Sequence, residues 1–113
     1  MNKIKNILFL GYDRDETCLI ELLEKRNISV MHSNLPIEDI PEYELIISFG
    51  FRHIISKRIL QKIKIPVINL HISFLPWNKG AHPLFWSFYD GTPCGVSIHM
   101  LDDGIDTGEI IYQ

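Results

Sequence analysis

Short, nearly unbroken apolar runs alternate with amphipathic stretches through the first seventy residues, and few folds accommodate that pattern. Residues 4–10 (IKNILFL) form such a run, closed by Gly11, as expected of a strand covered on both faces of a parallel sheet. In residues 15–26 (DETCLIELLEKR), Cys18, Leu19, Leu22 and Leu23 recur at helical spacing. Asp13 or Asp15 is the expected cap of this helix, and Lys25 and Arg26 suit the negative end of its dipole. ISVMH (28–32) then supplies a second strand, and a β-α-β unit of this kind crosses over right-handed. Ser33 to Tyr43, with Pro36 and Pro41, reads as a surface connection. ELIISFGF (44–51) reads as a strand, residues 54–63 as a helix with Ile54, Ile55, Ile59, Leu60 and Ile63 on one face, and IPVINLH (65–71) as a further strand. The pattern predicts an α/β fold with a mostly parallel, doubly wound sheet flanked by helices.

After His71 the periodicity stops. ISFLPWNKGAHP (72–83) is a long loop leading to a short helix from residue 84; GVSIHML (95–101) alternates as a strand; DDGIDTG (102–108) is turn-rich and precedes a last strand, EIIYQ. Loops rich in polar and aromatic groups at strand ends are where α/β proteins usually keep their sites. At 113 residues the chain predicts one compact soluble domain. Its net charge of −3 argues against a nucleic-acid partner, because phosphate-backbone binding uses a basic face. Ten of the eleven Lys and Arg residues precede residue 65, so the second half is acidic. Cys18 and Cys94 make no disulfide framework, no run has the length of a signal h-region, and no stretch reaches the roughly 18 apolar residues of a membrane span. The expectation is a cytoplasmic protein with no membrane partner.

Two groups of residues could carry chemistry. On a strand, Asn69 and His71 share a face while Leu70 points away, and they stand near the carboxyl end of a predicted parallel strand. An amide beside an imidazole can hydrogen-bond a carbonyl oxygen and hold negative charge formed there in acyl transfer. From spacing alone the plainer reading comes first: Asn69 capping a turn and His71 donating to a backbone carbonyl. The second group is Asp102, Asp103 and Asp106 in a glycine-containing loop. It resembles a calcium loop but lacks the glutamate at the twelfth position, where Gln113 stands, so no metal is expected and a solvated acidic turn is the ordinary alternative. Gly11 is not followed by a dinucleotide-binding glycine pattern, and neither Ser73 nor Ser87 sits in a nucleophile elbow.

The combination is more specific than its parts. NLHISFLPWNKGAHPLFWSF followed by GVSIHMLDDGIDTGEIIYQ resembles the signature of the formyltransferases that use 10-formyltetrahydrofolate, a family that includes glycinamide ribonucleotide, methionyl-tRNA and nucleotide-sugar N-formyltransferases. The resemblance covers residues 44–113 strongly and 4–32 loosely, and implies a Rossmann-like formyltransferase fold over a single catalytic domain, 1–113. It assigns Asn69, His71 and Asp106 as catalytic: the first two would hold the oxyanion, and Asp106 would tune the histidine and assist proton transfer through water. It implies 10-formyltetrahydrofolate as cosubstrate, with Phe49, Gly50, Phe51, Arg52, His53 and Ile54 lining the pterin pocket together with Leu101, Asp102 and Asp103. Phe51 and Ile54 read equally as ordinary core. Lys79 would meet an anionic acceptor or the glutamate tail of the folate, His82 and Trp86 would contact the amine acceptor, and His99 would give structural support.

The sequence also departs from the family. A strand–helix unit that normally follows the second strand is replaced by about eleven loop residues, and family members continue beyond the equivalent of Gln113, where the parts that choose an acceptor usually lie. The H-P-L-F-W-S-F run resembles members that formylate amino sugars. The alternatives are formylation of glycinamide ribonucleotide or methionyl-tRNA, and a non-catalytic fragment that binds folate. EIIYQ would leave a sheet edge that a homodimer could cover.

Overall fold

The computed structural model describes residues 3–39, 41–102 and 104–113; the expectation for Asp103 lies outside them. In chain order the elements are β1 (Asn6–Gly11), α1 (Leu19–Lys25), β2 (Ser29–Ser33), β3 (Leu45–Phe49), α2 (Lys57–Lys62), β4 (Val67–His71), α3 (Pro83–Asp90), β5 (Ser97–Met100) and β6 (Ile110–Tyr112). They build one sheet in the order β2-β1-β3-β4-β5-β6. The first four strands run parallel, and β5 and β6 add to the β4 edge in antiparallel pairs. The α/β, mostly parallel sheet is therefore present, with an antiparallel wing that the alternation of strands and helices did not specify.

Both faces of the central strands are covered. On one, Leu8, Leu10, Ile46 and Val67 pack with Ile55 and with Ile59 of α2. On the other, Ile7, Phe9 and Ile47 pack with Ile20 of α1. Alternate residues of β1 thus feed opposite cores, which is why its sequence reads as a continuous apolar run rather than an alternating one. Phe9 is fully buried. Its replacement by Ala should cost about 3–5 kcal/mol of stability through lost transfer energy and the cavity left behind, read as a lowered urea midpoint at unchanged slope.

The helices are shorter than their apolar periodicity. Asp13 does not cap α1: its carboxylate accepts from the backbone N–H groups of Asp15 (2.9 Å) and Glu16 (3.2 Å), and its carbonyl accepts from Thr17. This closes a separate turn before the helix, and Asp15 is not the cap either, because the capping position is Cys18. In α2 the Ser56 hydroxyl accepts from the Ile59 N–H at 3.3 Å, which fixes the start at Lys57. Ile55 remains in the core while Ile54 is 89% exposed. Among the described residues no helix is long and apolar enough to cross a membrane.

The loop after β4 is tied to β5 by one buried hydroxyl. Ser97 Oγ donates to the Ser73 carbonyl (2.7 Å) and accepts from the Leu75 N–H (3.1 Å). Those bonds set the direction in which residues 76–82 leave the sheet.

Candidate active site

The register of β4 on its neighbours gathers polar side chains on one face. Asn69 lies opposite Ser48 of β3 and opposite His99 of β5, and His71 lies opposite Ser97. Facing residues of paired strands project to the same side, so this polar patch continues the face that carries Val67, Ile46 and Leu8. The site is consequently spread over the sheet face beside α2, from the carboxyl end of β4 toward its middle. Ser48, His71, Ser97 and His99 are all buried.

Asp106 reaches that face from the loop between β5 and β6. It adopts a left-handed conformation (φ 53°), tolerable for aspartate though uncommon for side-chain-bearing residues. Its Oδ1 lies 3.4 Å from Asn69 Nδ2, and its Oδ2 lies 3.6 Å from His71 Nδ1 and accepts from the Gly80 N–H at 2.8 Å. The carboxylate therefore joins the β4 residues to the loop 76–82. Gly108 allows the chain to return to the sheet, because a Cβ there would run into the Met100 carbonyl oxygen.

His71 uses both ring nitrogens. Its Nε2–H donates to the Asn78 carbonyl at 2.8 Å, leaving Nδ1 on the side of Asp106. The two readings of His71 from sequence are thus compatible, one on each nitrogen. A carbonyl oxygen beside Asn69 Nδ2 and a protonated His71 Nδ1 would meet two N–H donors, with a carboxylate next to them to take up a proton. Preorganised donors of this kind stabilise charge that develops during acyl transfer. Among the described residues no group of three or more His, Cys, Asp or Glu side chains could hold a metal ion.

A cavity of about 360 Å³ adjoins this cluster, walled by Lys57, Leu60 and Gln61 of α2, by Ile63, Ile65 and Val67, and by Met100, Leu101 and Asp102. Val67 precedes Asn69 by two residues on the same face, so wall and cluster are about 7 Å apart along the strand. Leu101 and Asp102, expected from the family resemblance to bind the cosubstrate, are among the residues lining this cavity. The end of β3 and the residues that follow it are not among the cavity walls: Phe49 packs edge-on to Tyr12 at 4.9 Å, and Gly50 lies under the Tyr12 ring. Phe51 joins the core beside α2 and contacts His53, while Arg52, His53 and Ile54 are exposed. Lys79 is exposed and precedes Gly80, which holds Asp106; His82 and Trp86 stand exposed at the start of α3, Trp86 against Phe85 and Tyr89. The α2 side of the cavity and the position of His99 are what sequence reasoning missed.

The loop carrying Asp106 has its own clamp. Asp102 Oδ1 accepts from the Gly104 N–H (2.9 Å) and the Thr107 hydroxyl (2.7 Å), and the Thr107 bond is the main cause holding the Asp102 carboxyl below its usual range. A carboxyl lowered in the folded state supports the structure above its unfolded value and loses that support as pH falls through the folded one. The protection of the amides of residues 104–108, read as exchange relative to the intrinsic rate at each pH, should therefore be highest at neutral pH and fall on acidification, beginning at higher pH in Thr107→Val.

The fold agrees with that of known proteins. The formyltransferase PseJ from Anoxybacillus kamchatkensis, solved with UDP-4,6-dideoxy-4-formamido-L-AltNAc and tetrahydrofolate, superposes with a TM-score of 0.84 at 44% identity, over 96% of this chain and 58% of that one. Methionyl-tRNA formyltransferase of Syntrophomonas wolfei is 38% identical over 96 residues, 83% of this chain and 30% of the relative. The dTDP-4-amino-4,6-dideoxyglucose formyltransferase of Mycobacterium bovis is 34% identical over 76 residues, 67% of this chain and 32% of the relative. The chain thus spans about a third or less of those two enzymes. Its residues 25–113 match the family described as formyl transferase, and the chain belongs to that family.

Proposed function

We propose that this chain forms the site that moves a formyl group from 10-formyltetrahydrofolate to the primary amine of a nucleotide-linked amino sugar. The observation that carries this reading is the meeting of Asn69, His71 and Asp106 on one sheet face, beside a cavity of about 360 Å³. That cavity has apolar walls from Leu60, Val67 and Leu101 and polar groups from Gln61 and Asp102. Such a lining suits a flat heteroaromatic ring with donor and acceptor edges, and we assign the pterin to it.

The acceptor amine attacks the formyl carbon, a new C–N bond forms, and the bond to folate N10 breaks. Asn69 Nδ2 and protonated His71 Nδ1 hold the negative charge on the formyl oxygen, while the Asn78 carbonyl keeps the ring oriented through Nε2. Asp106 steadies His71 and takes the amine proton through water, and the proton count closes when N10 leaves protonated. The amino-sugar acceptor is favoured by the 44% identity to PseJ across almost the whole chain. Methionyl-tRNA is the second reading, supported by the 38% match to the Syntrophomonas wolfei enzyme. The acidic second half argues against it.

Calorimetry with a stable folate analogue tests the cavity. One equivalent should bind and, at a hundredfold excess over Kd, should stabilise the fold by about 2.7 kcal/mol. Absence of binding refutes the assignment. Transfer to a UDP- or dTDP-linked amino sugar, measured beside glycinamide ribonucleotide and methionyl-tRNA, decides the acceptor.

A further inference from the structure

The formyl-transfer reading does not use His99, yet it is the most deeply buried ionisable side chain of the site, 1% exposed. Its Nδ1 lies 2.9 Å from the Met100 carbonyl oxygen, which can only accept, so that nitrogen carries a proton. Its Nε2 lies 3.1 Å from Asn69 Nδ2, which can only donate, so that nitrogen carries a lone pair. The ring is held in one tautomer between a strand carbonyl and the side-chain amide of Asn69. The 3.4 Å approach of Nε2 to Asp106 Oδ1 is then a contact between two acceptors, bridged by the amide nitrogen that faces both.

An asparagine amide has two ends of similar shape and opposite chemistry. If Asn69 turned over, its Oδ1 would face the oxyanion and repel the charge that Nδ2 would stabilise. We infer that His99 is a positioning residue: by accepting one Nδ2 proton it fixes the Asn69 amide with nitrogen toward Asp106, so that the second proton, which meets Asp106 Oδ1 at a long 3.4 Å, is the one the formyl oxygen takes over. The inference rests on the formyl-transfer reading for its consequence, though not for its geometry. Outer partners that orient a reacting group commonly control rate without touching substrate.

The geometry is tested on the unsubstituted chain by nitrogen-15 NMR. His99 should show a protonated Nδ1 and a bare Nε2, with a nuclear Overhauser contact between its ring and the Asn69 side-chain amide protons. A protonated Nε2, or no contact, overturns the proposal. The consequence is tested with His99→Leu and His99→Gln. Loss of one neutral hydrogen bond corresponds to about tenfold, so His99→Leu should lower kcat by about that factor. Its KM for the folate and its affinity for a folate analogue should stay within about twofold, since His99 does not line the cavity. His99→Gln, whose Oε1 can accept the same proton, should recover most of the loss. A folded His99→Leu with unchanged kcat, or equal losses in both variants, overturns the positioning role. If the leucine variant does not fold, the glutamine variant and the spectra decide. If the unsubstituted chain transfers no formyl group to any acceptor, the functional reading fails and the amide lock is judged on the spectra alone.

Discussion

Asp106→Asn should lower kcat by about a thousandfold while leaving the affinity for a folate analogue within a few-fold. The asparagine keeps the size of the side chain and can still accept from the Gly80 N–H, so the loop 76–82 should remain in place. What disappears is the negative charge 3.6 Å from His71 Nδ1 and one of the two acceptor oxygens. The amide nitrogen that replaces it must face either Asn69 Nδ2 or His71 Nδ1, and toward either it offers a donor where an acceptor stood. In the proposed transfer His71 loses its neighbouring charge and the amine loses its route for a proton, two effects each of the size usual for acid–base and electrostatic assistance. Analogue binding should survive because Asp106 is not among the cavity walls. Turnover within tenfold of the unsubstituted chain would remove Asp106 from the mechanism.

What could be read from the sequence followed the range of the forces involved. β1 is a local pattern, since its apolar run reports burial on both faces without any knowledge of its neighbours, and Phe9 and Leu10 are fully buried on opposite faces. Asn69 and His71 were legible together because strand alternation alone puts them on one side. The start of α1 was not legible, because Asp13 bonds its own turn instead of the helix, and both uses employ the same residue type at nearly the same spacing. Asp106 entered through the likeness of I-D-T-G to a family pattern; its distance from Asn69 depends on a loop folded across the sheet. His99 required the antiparallel register that sets it opposite Asn69, a pairing that no property of SIHM specifies. The cavity draws its walls from α2, the entry to β4 and the exit of β5, three stretches with no common pattern. For the end of β3 and the residues after it the pocket expectation came from the family resemblance alone, and in the structure Phe49 packs on Tyr12 while Phe51 joins the core, the plainer of its two readings.

Asn69→Ala should cost in two separate ways. Removing the amide deletes one donor to the developing oxyanion, and loss of a single such donor usually lowers kcat by about 10²–10³. It also leaves His99 Nε2 buried without its partner, a penalty of about 1–3 kcal/mol in stability. Asn69→Asp separates the two effects. The shape is kept, but a carboxylate in place of the amide faces Asp106 Oδ1, which already lies 3.4 Å from Asn69 Nδ2, and like charges at that range repel. The aspartate variant should therefore be at least as slow as the alanine variant although it leaves no cavity. Combining Asn69→Ala with Asp106→Asn should lower kcat by far less than the product of the single effects, because in the proposed transfer both residues serve one charge-forming step. Multiplicative losses would mean that the two side chains act in different steps, and the 3.4 Å contact between them would then be structural only.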